Sequence, residues 1–257
     1  MDDIAPHLPL SGYLFLAVLG IGYFLFQHAL LHVVIKCFYP DYVKLNDHDR
    51  TDYRMQWNAL FHGFISAIWS LYTILYTCGD GKTYMNSQDC REVARNSHVW
   101  LLAFTSGYLT LEIFFILVYM GIQTPLDKQT MTHHVLAALN FYLAFWYLGF
   151  PLVIGAVFVI LEISTPFVCI RWLLFHHGKK GSVWQNINTL TLAFFFIGGR
   201  IFFQSYIIIA FVFDWLYKFY FEEENVPILY KIFVTEMLFT VFVNVLLNFY
   251  WSWLIIK

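Results

Sequence analysis

Seven times along this chain a run of mainly apolar residues reaches the length that a helix needs to cross a lipid bilayer. The hydrocarbon core is about 30 Å thick and a helix rises about 1.5 Å per residue, so about 20 apolar residues make one crossing. Such runs lie at roughly 10–36, 56–77, 98–120, 133–149, 151–175, 187–213 and 229–255. Backbone inside hydrocarbon must satisfy its own N–H and C=O groups, which leaves helices and closed barrels. No alternation at period two supports a barrel. The predicted fold is therefore all-α, a polytopic membrane helix bundle of about seven transmembrane helices. Only Gly149, Phe150 and Pro151 separate the fourth and fifth runs. Pro151 suits the first turn of a new helix, so a tight hairpin is expected there. Fusion of the two runs, leaving six spans, is the alternative.

Composition agrees with this reading. Charged residues are 12% of the 257-residue chain, against about 25% in soluble domains, which is too little polar surface for a water-facing shell. The 28 Phe, 17 Tyr and 9 Trp suit a lipid-facing surface with aromatic belts. A net charge of −2 excludes the basic face that a nucleic-acid partner requires. No cleavable signal peptide is expected, because Asp2 and Asp3 stand where a basic leader region would be and the first apolar run is too long for a signal core.

Lys and Arg near the span ends set the orientation. Lys36, Lys44, Arg50, Arg54, Lys128, Arg171, Lys179, Lys180 and Lys257 fall on one face. Lys82, Arg91, Arg95, Lys218 and Lys231 fall on the other, beside the acidic run from Glu222 to Glu224. The first, basic face is read as cytosolic. Cys78 and Cys90 flank one polar loop on the opposite face and are the disulfide candidates if that face meets an oxidising compartment. The expected location is the endoplasmic reticulum, with the mitochondrial inner membrane as the alternative.

Ionisable groups at membrane depth are costly, so they usually face the bundle interior. His62, Glu112, His133 and His134 fall in the basic-face half of their spans, while Glu162 and Arg200 fall near the midplane. Asn244 and Asn248 share one face of the last span in that same half. Together they predict a polar-lined cavity open toward the basic face and closed toward the other. The plainer alternative is structural: Glu162 and Arg200 as a pair that fixes helix register, His62 as an interhelical donor.

Adjacent His133 and His134 point about 100° apart on a helix, so one can face the cavity while the other packs. His28 and His32 stand at i and i+4 without a carboxylate or Cys at matching spacing. A core or interfacial role suits them better than metal ligation. No metal and no cofactor are expected. His176 and His177, beside Lys179 and Lys180, read as a basic interfacial loop. Gly198 and Gly199 beside Arg200 offer a site of close helix approach. Nucleophile-elbow, phosphate-loop and dinucleotide-binding motifs do not occur.

Several stretches resemble the TLC-domain family, which includes ceramide synthases and translocation-associated membrane proteins. These are Trp57-Asn58 followed by His62, Ser106-Gly107-Tyr108 with Glu112, and Thr132-His133-His134. Asn248 with Trp251 resembles the end of the domain. Leu161-Glu162-Ile163-Ser164-Thr165-Pro166-Phe167 with Arg171-Trp172 is similar to the transmembrane-protein-56-like branch.

The resemblance implies an N-terminal extra span and polar loop over 1–49 and a TLC-like six-helix domain over 50–257. It also implies membrane lipids as partners and a role in lipid binding or homeostasis, with His62, Glu112, His133, Glu162, Arg200 and Asn248 as ligand-binding candidates. Two alternatives stand beside it. One is a structural subunit that reuses the fold among neighbours in a larger membrane complex. The other is an acyl-CoA-dependent N-acyltransferase, with His133, His134 and Glu162 as catalytic candidates. The second His and the Asp pair that ceramide synthases carry are missing around Phe158–Glu162.

Overall fold

The structure is a computed structural model describing residues 10–122, 124–147, 149–222 and 226–256. The N-terminal acidic residues, Glu223, Glu224 and Lys257 lie outside the described residues. Seven long helices dominate. We label them α1 (Leu10–Phe38), α2 (Asp47–Tyr76), α3 (Asn96–Met120), α4 (Pro125–Tyr147), α5 (Gly149–His176), α6 (Val183–Glu222) and α7 (Ile228–Ile256). Six of the described helices are long and apolar enough to cross a membrane. The exception, α4, has 23 residues, about 34 Å at the usual rise, but carries His133, His134 and Asn140. The protein is thus an integral membrane helix bundle.

Local chemistry explains where the helices begin and break. Asn46 caps α2, its side-chain oxygen accepting from the Asp49 N–H at 2.8 Å. The expected hairpin between the fourth and fifth runs is present: Gly149 adopts φ +57°, which other residues rarely tolerate, and Pro151 follows in the first turn of α5. The sixth helix runs well past the expected 187–213. An ion pair between Lys218 and Asp214 at 2.9 Å supports its extra turns. The Tyr220 hydroxyl ties them to α7, at 3.1 Å from the Lys231 carbonyl and 2.8 Å from Thr235.

The helices meet through a buried apolar core. Leu101 and Leu102 of α3, Leu152, Val153, Ala156 and Val157 of α5, and Ile207 of α6 pack at its centre. Large apolar side chains also cover the outside: Phe26, Ile68, Leu190, Phe202 and Phe239 are all exposed. An outer surface of this kind is expected where the solvent is lipid. Helix α1 packs on α3 with backbones in contact at Gly20 and Gly107. A Cβ added at Gly107 would lie 2.5 Å from the Gly20 carbonyl carbon, and one at Gly20 would lie 2.6 Å from the Ala103 oxygen. Gly198 and Gly199 do not serve the close approach expected of them. Only a Leu161 methyl, at 3.9 Å, comes near Gly199.

At the basic end, Tyr53 hydrogen-bonds the His177 Nε2 at 2.9 Å, and His176 stacks on Trp172 at 4.9 Å. His176, which closes α5, and His177, which follows it, are therefore anchored to the helices. Partial burial, with His176 and Lys179 nearby, holds the His177 imidazole below its usual value.

At the opposite end Cys78 and Cys90 form a disulfide, with Cα atoms 5.7 Å apart. It closes the loop between α2 and α3. Arg91 holds that loop down by donating to the Tyr84 carbonyl at 3.0 Å and lying over the Phe211 ring at 4.5 Å. Burial raises the Tyr84 hydroxyl well above its usual range. Thiol labelling of the denatured, unreduced chain should modify Cys37 and Cys169 alone, with Cys78 and Cys90 reacting only after reduction. Reaction of all 4 cysteines without reductant would show that the bond does not form in the membrane.

Candidate functional site

Two irregular segments place the polar groups. Helix α5 tightens into a 3₁₀ stretch over Val159–Ser164, just before Pro166. Proline removes a backbone donor and disfavours α geometry before it, so the helix winds differently where Glu162 and Ser164 project. Helix α6 widens into a π-helical stretch over Phe196–Phe203 that carries Arg200. Such segments interrupt regular helices often at functional sites.

Arg200 is 6% exposed and sits at the junction of α5, α6 and α7. Its Nε donates to Ser164 at 3.1 Å, one Nη to Asn248 at 3.4 Å and the other to Glu162 at 3.4 Å. The second Glu162 oxygen accepts from Thr165 at 2.6 Å, and Asn248 donates onward to Gln204 at 2.9 Å. A charge withdrawn from water is tolerated where it is paired and hydrogen-bonded, as here. The expected pairing of Glu162 with Arg200 is present.

Helix α4 brings both histidines, and they diverge. His133 faces α7, its Nδ1 lying 2.5 Å from the Asn244 side-chain oxygen. His134 faces α3, its Nδ1 lying 3.0 Å from Glu112. That contact is at ion-pair distance but out of hydrogen-bond alignment. One His therefore belongs to the cavity and the other to the packing behind it. The Trp251 indole donates to Gln129 at 2.9 Å, and the Trp251 ring lies 5.5 Å from that of His133.

Between α3, α4, α5, α6 and α7 lies a cavity enclosing about 830 Å³ of non-atom space, part of it open to the outside. Its polar wall is formed by His133, Glu162, Arg200, Asn244 and Asn248. Ala137, Phe141, Ala144, Phe158 and Val241 make an apolar wall. A second space of about 420 Å³ adjoins it, sharing Pro151, Ile154, Phe158, Met237 and Val241, and reaches Phe150 and Trp215. The combined space thus runs from the polar groups toward the opposite face.

Of the residues singled out from sequence, His133, Glu162, Arg200 and Asn248 line the cavity. Glu112 and His134 stand behind its wall. His62 is fully buried away from it, its ring stacked on Tyr108 at 3.9 Å and edged by Phe24 at 5.8 Å. Gln204 and Asn140 also line the cavity and were not singled out. Helical spacing was the available signal, since Gln204 is one turn beyond Arg200 and Asn140 two turns beyond His133. Among the described residues no group of His, Cys, Asp and Glu has the arrangement of a metal site.

Residues 53–257 match the family model of the TLC domain. The chain belongs to the TLC-domain family. The matched region begins in α2 and includes every cavity-lining residue. Helix α1 precedes it, packed through Gly20 onto the domain's own Gly107. Comparison of the chain with curated proteins gives no significant match. As a TLC-family member the protein is a multi-pass membrane protein, and His133, Glu162, Arg200, Asn244 and Asn248 gather on the wall of one internal cavity.

Proposed function

We propose that this TLC domain binds a membrane lipid in the cavity and acts in lipid binding or homeostasis, with α1 as an addition that closes its flank. The observation that carries this reading is the shape of the space: a polar wall at one end and an adjoining apolar space lined by Phe158, Met237, Val241 and Trp215. An acyl chain is matched by the apolar space and a polar headgroup by the Asn244, Arg200 and Glu162 wall. Burial of each CH₂ is worth about 0.8 kcal/mol, so a long chain supplies most of the affinity and the polar wall supplies orientation. The disulfide on the face opposite the basic residues supports an oxidising compartment there, as in the endoplasmic reticulum.

His133 supports a second reading. Asn244 fixes its Nδ1, which is how an orienting group prepares an imidazole to act as a general base. With a long-chain acyl-CoA and a sphingoid base, CoA release and an amide product would establish acyl transfer; their absence leaves the protein as a binder.

The binding reading is tested on purified protein by quantifying retained lipid with native mass spectrometry. Wild-type protein should retain lipid. His133→Ala, which removes a polar wall group, and Ala137→Phe, which fills the space, should each reduce retention several-fold. Unchanged retention in the folded Ala137→Phe variant would contradict the cavity reading.

A further inference from the structure

A second polar feature lies outside the cavity, between α1, α2 and α3. His62 is fully buried, yet neither ring nitrogen has a hydrogen-bond partner in the protein. A neutral imidazole always presents one N–H and one lone pair. Leaving buried groups of this kind unsatisfied is costly, so a partner is expected for each. The faces of the ring are covered by Tyr108 at 3.9 Å and Phe104 at 5.7 Å, so only its edge remains for polar contact.

The neighbours repeat the pattern. Asn58, one helical turn toward the basic face, is 3% exposed and its side-chain oxygen has no partner. Its amide nitrogen lies 3.3 Å from the Nδ1 of His28 on α1. The His28 Nε2 is again without a partner, although the ring is buried and stacked on Phe115 at 4.4 Å. One turn further along α1, His32 is only half-buried and reaches the Tyr42 hydroxyl at 3.1 Å near the basic face. On α3, Tyr108 stacks on the His62 ring and Glu112 follows one turn later, 3.0 Å from His134, with the Glu112 Oε2 and His134 Nδ1 again lacking hydrogen-bond partners. Each of α1, α2 and α3 thus contributes a polar pair at i and i+4, on neighbouring turns about 5.4 Å apart.

Two features fix the chemistry of what completes these groups. The unpartnered atoms include both donors and acceptors, and no carboxylate stands among His28, Asn58 and His62 to hold a cation. Neither of the two internal spaces is lined by any of these three residues, so their partners do not come from the cavity. Buried water meets both conditions, since it donates and accepts and takes about 2–4 polar partners.

We propose that His28, Asn58 and His62 hold a file of bound water running from the basic face, between α1 and α2, to the Glu112–His134 pair behind the cavity wall. On this account α1 supplies one side of a hydrated path into the TLC domain.

The test is water-edited solid-state NMR on the full chain in lipid bilayers, with the histidine rings labelled with ¹⁵N. The ring of His62 is assigned through Phe61 and Gly63, so no substitution is needed for the first result. Rapid polarisation transfer from water to the His62 nitrogens is expected. Absence of transfer to them would overturn the proposal. His28→Phe, which removes the α1 member, should slow the transfer to His62 several-fold. An unchanged rate in that variant would show that the water at His62 is not part of a file along α1.

Discussion

Replacing Glu162 with alanine should destabilise the folded bundle by about 3–5 kcal/mol, the range seen when one partner of a buried pair is removed. Arg200 would remain buried among α5, α6 and α7 with only Ser164 and Asn248 to receive its five donors. The cost is that of a charge left without its counter-charge in a low-dielectric interior; the attraction in the intact pair is a smaller quantity. A double variant, Glu162→Ala with Arg200→Met, removes both charges and should recover most of the loss. Denaturant or thermal unfolding of the purified protein in detergent measures both. If the single variant were as stable as the parent, the carboxylate would not be the partner of Arg200.

The second large effect concerns the contact of α1 with the domain. Gly107→Leu should cost about 3 kcal/mol, the upper end of the usual range for overpacking. The atoms its side chain meets belong to the Gly20 and Ile21 backbone, at 2.5 to 2.7 Å from the first added carbon. A flexible side chain can turn away, whereas a helix backbone has to move as a unit. Gly22→Leu is the matched control on α1, because a Cβ there meets nothing within 4 Å, and it should be close to neutral. Equal stability of the two variants would mean that α1 does not lie against α3 as described.

The helical architecture was legible because length and apolarity decide it. A backbone in hydrocarbon has few alternatives, and the Gly149–Pro151 break marks the one ambiguous turn. The pairing of Glu162 with Arg200 was legible for the same reason, since two opposite charges near the midplane have to find each other. The partners of the histidines were not. Whether His133 or His134 enters the cavity depends on the rotation of α4, which its packing between α3 and α7 sets.

The placement of His62 also escaped the sequence pattern. Its depth suggested the cavity, but Phe24 and Tyr108 enclose it on the far side of α3. Helix α1, read as an appendage, supplies Phe24. The π-helical stretch around Arg200 had no sequence signal beyond two glycines, and those glycines do not make the contact they suggested.

The most direct measurement of the central claim is photocrosslinking with a lipid that carries a photoreactive group on its acyl chain, in bilayers, followed by peptide mapping. Lipid bound in the cavity predicts adducts on Phe158, Met237 and Val241, reduced in Ala137→Phe. Adducts confined to outward-facing residues such as Phe26, Phe202 and Phe239, and unaffected by Ala137→Phe, would contradict it.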